Sequence, residues 1–508
     1  MTTAEPSVVA RGAYEPVIGL EVHVQLLTAS KIFCSCSTRF GAPPNTNVCP
    51  VCLGMPGALP VLNRKAVEFA TLAAMALNCR INETSIFARK NYFYPDLPKG
   101  YQISQYDKPL AEHGYVEVPV SKTDAGSQKL RTENGELRTS KKIGITRVHL
   151  EEDAGKSLHE GFPDSDEKTA IDLNRTGVPL IEIVSEPDIA TPDEAYEYLT
   201  RLKEIILYTG VSACNMEEGS LRCDANVSIR PRGQKELGTK AEIKNVNSFR
   251  FIREALIYEI ARQVEVVESG GKVVQETRLY NSHEGKTYSM RSKEQAHDYR
   301  YFPEPDLQPL VVDEKWKAEI SKTLPELPAA RRARLVKDYG VTEYDAHVLT
   351  VSKSLADQFE AAAKAAKNPK RVANLVQGEL MGRLKAKGAE IEHSPISMKG
   401  VAKSADLVES GAISGKMLKD LYDLCFERNK DFPEVYEEEG SPQQSTDTSA
   451  LEKIIDEIIA ANPKQVEQYR GGKKTMIGFF VGQVMKASKG QANPQLVNEL
   501  LTNRLEVT

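Results

Sequence analysis

The stretch Ile18-Gly-Leu-Glu-Val-His-Val-Gln-Leu26 decides how the front of this chain is read. Apolar and polar residues alternate through it. In a strand, successive side chains point to opposite faces, so Leu20, Val22 and Val24 face one way and Glu21, His23 and Gln25 the other. A carboxylate, an imidazole and a carboxamide then line one face. That face suits a divalent cation or an acid–base step. It equally suits the polar outer side of a half-exposed antiparallel sheet. The partners supplied by the rest of the chain decide between the two.

With 508 residues the chain has room for two or more domains. Its 41% hydrophobic and 27% charged residues are those of an ordinary globular protein. A net charge of −5 excludes nucleic-acid binding by overall charge, so any RNA contact needs a local basic patch. No apolar run reaches the length of a membrane span. Met-Thr-Thr-Ala-Glu-Pro lacks the basic-then-apolar pattern of a signal peptide, and a cytoplasmic protein without membrane contact is expected.

Eight cysteines occur, and four cluster as Cys34-Ser-Cys36 and Cys49-Pro-Val-Cys52. Two close pairs twelve residues apart resemble a structural zinc knuckle, although the first pair is C-x-C where C-x-x-C is commoner. In a reducing cytosol metal is favoured over disulfide. Four cysteine ligands would close the site, which makes it structural. Cys79, Cys214, Cys223 and Cys425 are scattered and read as buried thiols.

From about residue 14 to 300 the pattern is mixed α/β with many short strands. Asn63 caps a helix to Leu77. Tyr115–Val120 and Lys142–Leu150 read as a hairpin around a mobile insert, Ser121–Ser140. Thr191-Pro-Asp-Glu194 is a capping box that opens a helix to Gly210. Ser248 opens another, closed by Gly270-Gly271. After about residue 305 the texture turns helical and Ala/Leu/Lys-rich. Glu434–Thr448 reads as an acidic linker. The last segment, Leu451–Leu505, is helical again. Between Gln468 and Asn498 it carries Arg470, Lys473, Lys474, Lys486 and Lys489 and no acidic residue. This patch is either a solvated helix face or a phosphate-contacting surface.

Two apparent phosphate loops fail on inspection. Gly155-Lys156-Ser157 and Gly285-Lys286-Thr287 lack the earlier glycine that turns a P-loop, because Leu150 and Tyr280 stand there. No G-x-S-x-G elbow is present. The chemistry must come from carboxylates on strand-like segments. His149-Leu-Glu-Glu-Asp-Ala-Gly-Lys156 packs three acids in a row, which need a cation or solvent. Glu182 interrupts an apolar strand and requires a partner. Arg222 and Asp224 share a strand, as do Glu242 and Lys244. Oxygen ligands with one imidazole suit Mg²⁺ or Mn²⁺ better than zinc. Lys90, Lys156, Arg175, Arg222 and Lys244 accompany the acids, which suggests a nucleotide–metal site that handles phosphoryl groups. A salt-bridged sheet surface has the same signature.

Several long segments together resemble one family: Ile18-Gly-Leu-Glu-Val-His, Lys90-Asn-Tyr-Phe-Tyr-Pro-Asp96, Tyr101-Gln-Ile-Ser-Gln105, His149 to Lys156, Pro179-Leu-Ile-Glu-Ile-Val-Ser-Glu-Pro-Asp188, Gly219-Ser-Leu-Arg-Cys-Asp-Ala-Asn226, Lys244-Asn-Val-Asn-Ser248, Asp298-Tyr-Arg-Tyr-Phe-Pro-Glu-Pro-Asp306 and Gly482 to Asn498. The chain is similar, over nearly its whole length, to the B subunit of the aspartyl/glutamyl-tRNA(Asn/Gln) amidotransferase. The resemblance implies a heterotrimer that corrects misacylated Glu-tRNA(Gln) or Asp-tRNA(Asn). Its A subunit, an amidase (glutaminase), releases ammonia, and a small C subunit ties the others together. The B subunit would use ATP and Mg²⁺ to phosphorylate the side-chain carboxylate of the tRNA-bound amino acid, and ammonia would displace the phosphate.

By the same resemblance, Glu21, His23, Glu152 and Glu242 look like the Mg²⁺ set. Glu151, Glu182 and Asp224 would either support the metal ligands from behind or stand on the nucleotide side, and Lys90 would be a charged wall or channel residue. The fold implied is α+β. A mixed α/β cradle domain over 1–305 holds the knuckle at 34–52, a connector covers 306–345, and a helical tRNA-binding region covers 346–508 with a tail from about 449. Two other readings compete. A zinc-knuckle RNA-binding scaffold would not need Glu21, His23, Glu152 and Glu242 to converge. A metal-dependent hydrolase would need an open zinc position.

Overall fold

The computed structural model describes residues 10–119, 140–290, 299–443, 448–488 and 492–506. The chain divides into two compact units, 1–327 and 328–508.

Alternation builds the centre of the first unit. Strand β1 (Tyr14–Gln25) buries Ile18, Leu20, Val22 and Val24 and leaves Glu21, His23 and Gln25 half-exposed. The later strands are β2 (Arg80–Ile81), β3 (Thr84–Ser85), β4 (Phe87–Asn91), β5 (Tyr101–Gln105), β6 (Ala111–Pro119), β7 (Ser140–Glu152), β8 (Lys156–Leu158), β9 (Ala170–Asp172) and β10 (Pro179–Ser185). They continue as β11 (Leu221–Pro231), β12 (Ala241–Lys244), β13 (Glu276–Asn281), β14 (Lys286–Ser289), β15 (Arg300–Pro303) and β16 (Leu310–Val311).

Nine strands form one sheet in the order β14-β13-β12-β11-β1-β10-β7-β6-β2. Every neighbouring pair is antiparallel except β12–β13, which are parallel and joined through a helix. β6 and β7 pair as the expected hairpin. The insert between them, expected at Ser121–Ser140, lies outside the described residues up to 139.

Three capped helices cover the apolar face: α1 (Arg64–Ala76), α2 (Pro192–Thr209) and α3 (Phe249–Glu268). Asn63 Oδ1 accepts from Lys65 N at 2.9 Å, Thr191 Oγ1 from Glu194 N at 3.1 Å and Ser248 Oγ from Phe251 N at 3.1 Å. These side chains satisfy helix-end amides that have no intrahelical acceptor. Leu20, Val22, Val148, Leu150, Ile181 and Ile183 pack in one core with Ala70, Leu199 and Leu256 of the helices. On the polar side a small sheet, β15-β4-β5, lies with β5 against β7.

The expected connector at 306–345 is divided between the units. Leu310, Val312 and Ile320 belong to the first core, whereas Leu335 and Val341 belong to the second unit's core. Their apolar side chains are buried, so the segment does not behave as a free linker. The second unit is helical, with one core between Leu335 and Tyr436 and another between Leu451 and Leu505. The expected linker Glu434–Thr448 begins too early: Phe432–Glu438 is a helix with Asp431 as its cap and Val435 and Tyr436 buried. Proline at its first turn and an apolar face outweigh the acidic composition. Among the described residues no helix is long and apolar enough to cross a membrane.

Candidate active site

Strand register turns the alternation into rows. Residues directly opposite each other on paired strands point to the same face. His23 stands opposite Arg222 on β11 and Glu182 on β10, and Glu182 stands opposite His149 on β7. One step along, Glu21 stands opposite Asp224. Glu151 follows His149 by two residues and shares its face.

His23 Nε2 lies 3.4 Å from Glu182 Oε2 and 4.0 Å from Glu151 Oε1. One ligand atom from each of the three falls within 4.8 Å of the others. Ligands on opposite sides of a Mg²⁺ ion, at bond lengths of about 2.1 Å, stand about 4.2 Å apart. Two buried carboxylates and one imidazole therefore fit a hard divalent cation in spacing and donor type.

His149 completes the cluster. Its Nδ1 is 2.7 Å from the Gln105 carbonyl oxygen, and its Nε2 is 3.0 Å from Glu182 Oε2. Nδ1 makes a hydrogen bond to that carbonyl, whereas Nε2 lies beside Glu182 without hydrogen-bond geometry. Burial would lower the His149 pKa, but Glu182 and Glu151 raise it above the ordinary value. His23 is raised in the same way, burial being outweighed by Glu182 and Glu151. Glu182, between the two rings, is held well below the ordinary carboxylate range despite burial. Ser104 Oγ donates to Glu151 Oε2 at 2.7 Å.

The second row is acidic with one cation. Lys244 Nζ is 3.2 Å from Asp224 Oδ2 and 3.1 Å from Glu242 Oε1. Asn226 Nδ2 donates to Glu21 Oε1 at 3.0 Å. Burial, then Glu182, Glu242 and Asp224, raise the Glu21 pKa. Lys90 reaches the face from β4, 4.8 Å above the Tyr299 ring centroid. Burial lowers its pKa, and Glu151, Tyr301 and Glu182 more than reverse that.

Asp153 anchors the cationic edge. It accepts from Gln25 Nε2 at 2.7 Å and Arg222 Nη2 at 2.9 Å, with Arg175 Nε at 3.6 Å. Arg175 also donates to the carbonyls of Ala154 and Gly155.

Glu152 is not brought to this cluster. Val148, Leu150 and Glu152 share one parity and His149 and Glu151 the other, so Glu152 turns away. There it accepts from Ile103 N at 2.8 Å and pairs with Lys99. The set that meets His23 is Glu151 and Glu182. Glu21 and Glu242 lie along the same face beside Asp224. Lys156 is exposed on the β8–β9 hairpin and does not join the cluster.

Cys34, Cys36, Cys49 and Cys52 converge, with Sγ of Cys52 at 3.6, 3.7 and 3.5 Å from those of Cys34, Cys36 and Cys49. Tetrahedral zinc with Zn–S bonds of about 2.3 Å holds its sulfurs about 3.8 Å apart. The four thiols fit zinc. A hydrogen bond with Cys34 and the charge of Lys31 hold the Cys52 thiol below its ordinary value against burial.

In the tail, Lys473 and Lys486 are exposed. Lys474 is paired with Glu506 at 2.9 Å and lies over the Tyr469 ring, so the basic patch is partly neutralised from the far end of the chain. Lys489 lies outside the described residues.

Of the side chains that join these clusters with no individual role read from the sequence, His149 and Asp153 had a signal: both lie in the acidic motif and share the parity of Glu151. Lys31 and Lys99 had none.

One sheet face thus gathers buried carboxylates, an imidazole and flanking cations, a donor set that could hold a metal ion in an enzyme site. The family model described as the GatB/GatE catalytic domain matches residues 16–318, and that of the GatB domain matches residues 357–505. The aspartyl/glutamyl-tRNA(Asn/Gln) amidotransferase B subunit of Carboxydothermus hydrogenoformans is 57% identical over 97% of this chain and 99% of its own length. Those of Thermoanaerobacter pseudethanolicus and Geobacter sulfurreducens are 54% and 53% identical over the same shares of both chains. The chain belongs to this family of amidotransferase B subunits.

Proposed function

We propose that this chain binds ATP and Mg²⁺ and phosphorylates the side-chain carboxylate of misacylated Glu-tRNA(Gln) or Asp-tRNA(Asn). Ammonia from a partner glutaminase, the A subunit, then gives the amide, with a small C subunit completing the complex, in the cytoplasm. The observation that carries the reading is the convergence of His23, Glu151 and Glu182 on one sheet face under Lys90. A carboxylate is a poor acyl electrophile, and phosphorylation supplies the leaving group. Mg²⁺, when bound, offsets phosphoryl charge during the transfer.

The chain's own residues divide the remaining work. His23, Glu151 and Glu182 would hold the cation. His149 stands 3.0 Å from Glu182 Oε2 and places positive charge beside that carboxylate when protonated. Arg222, pinned by Asp153, and Lys244, bridging Asp224 and Glu242, offer positive charge to phosphate oxygens along the face. Lys90 and the rings around it wall the other side and exclude water from an uncharged ammonia. The four cysteines hold zinc in a structural role. Lys473, Lys486 and Lys489 contact tRNA phosphates.

The test is reconstitution with the partner chains and each misacylated tRNA, with and without ATP. Amidation is expected only with ATP, and His23→Ala should abolish it while basal glutaminase turnover persists. Unchanged amidation by His23→Ala would refute the assignment.

A further inference from the structure

Lys31 is fully buried. Its ammonium donates to the carbonyl of Asn47 at 2.7 Å and that of Leu173 at 3.4 Å, and it lies 3.5 Å from Cys52 Sγ. Among the described residues these are its partners, and none is a carboxylate. Glu152, across Gly177, is taken by Lys99. A buried ammonium held by two carbonyls and one sulfur, with no carboxylate among its partners, is poorly compensated. The same ammonium beside a tetrathiolate–zinc centre is well compensated, because four thiolates around a dication carry net negative charge. Each half of the arrangement accounts for the other.

The contacts of this region run toward the candidate active site. Asn45 and Asn47, inside the knuckle, bind the segment 171–174. Asn45 Nδ2 donates to Ile171 O at 2.9 Å, Leu173 N to Asn45 Oδ1 at 2.8 Å, and Asn47 N to Asn174 Oδ1 at 2.8 Å. Beyond that segment Arg175 binds the carbonyls after Asp153, Gly177 N donates to Asp153 O at 2.9 Å, and Ile32 N donates to Gly177 O at 2.9 Å. Lys31 joins the two sets, because its ammonium touches the metal ligand Cys52 and the Leu173 carbonyl together.

We infer that Lys31 is the built-in counter-charge of the tetrathiolate zinc centre and a positioning residue that couples zinc occupancy to the 171–177 segment supporting Asp153 and Arg175. The inference rests on the reading of the cysteines as a zinc site. Loss of the charge weakens zinc, and loss of zinc frees the segment.

The experiment uses the full-length chain purified with zinc. Zinc content and the rate of release to a chelating indicator are measured for wild type, Lys31→Met and Lys31→Gln. Hydrogen exchange over 171–177 is followed before and after zinc removal. Wild type should carry zinc, and both variants should lose affinity by about 10- to 100-fold, the range for partners of metal ligands. Exchange over 171–177 should accelerate on zinc removal, while β13 and β14 stay protected. Wild-type affinity and release in both variants would overturn the role of Lys31 and leave the zinc reading standing. A wild-type chain without zinc would overturn that reading and the inference with it. Should the variants fail to fold, unchanged exchange over 171–177 in zinc-stripped wild type would overturn the coupling.

Discussion

Two of the buried charge clusters in the first unit are built differently. Glu259 on α3 is enclosed by its partners. Arg262 donates to both carboxylate oxygens at 2.9 and 2.6 Å, Thr287 Oγ1 and Gln263 Nε2 donate at 2.9 and 3.0 Å, and Arg278 Nε lies 3.2 Å away. Arg278 also pairs with Glu276, so two acids meet two guanidinium groups. In the cluster around His23, carboxylates face one another. Glu182 shares one oxygen between two imidazoles, and burial with neighbouring acids raises the Glu21 pKa. Burial of charge alone does not mark a site. A closed network stabilises a sheet edge, whereas carboxylates set beside one another on an open face are a candidate place for an added cation.

The sharpest way to break that comparison is Glu259→Ala. It strands two cations in a buried place and should cost about 3–5 kcal/mol, read from the urea midpoint. A cost near zero would show the network is not structural. A second test uses acid. Burial raises the Asp153 pKa, but Arg222, Arg175 and Gln25 hold it below the ordinary value. Its stabilisation is therefore fully present above the unfolded value of about 3.9 and is lost as pH falls through the lower folded value. Asp153→Asn should flatten the fall in stability below about pH 4 relative to wild type. An unchanged acid limb would contradict the assigned contacts.

Glu151→Gln should change stability by no more than about 1 kcal/mol, because the Ser104 hydrogen bond survives and the charge lost opposite His23 and Lys90 is offset by relief of repulsion from Glu182. A loss comparable with Glu259→Ala would erase the distinction between the clusters. The smallest effect is expected in the tail. Lys473→Glu or Lys486→Glu should weaken tRNA binding and lower the salt slope by roughly one unit for each phosphate no longer held. Indifference would return these lysines to a solvated helix face.

Much of this was legible in the sequence. The alternation of β1 gave both the buried set and the polar face, and the caps at Asn63, Thr191 and Ser248 start helices where they should. The choice between Glu151 and Glu152 was legible too. In Val148-His-Leu-Glu-Glu152 the buried Val148 and Leu150 fix the parity that sends Glu151 to the His149 side and Glu152 away. The family motif pointed to the other of these two adjacent acids because a motif carries no face. Lys31 was not legible. Nothing in Ser30-Lys-Ile-Phe33 announces a buried ammonium, since its partners at Asn47, Cys52 and Leu173 arrive from distant segments. The pairing of Lys474 with Glu506 was hidden for the same reason.

The central claim is that the face shared by His23, Glu151 and Glu182 is where a divalent cation binds. It is tested most directly by Mn²⁺ titration of the full-length chain, followed by loss of the free-ion paramagnetic signal, in Glu151→Gln and Glu152→Gln. Glu151→Gln should lose the bound ion and Glu152→Gln should keep it. Retention by Glu151→Gln with loss in Glu152→Gln would contradict the claim.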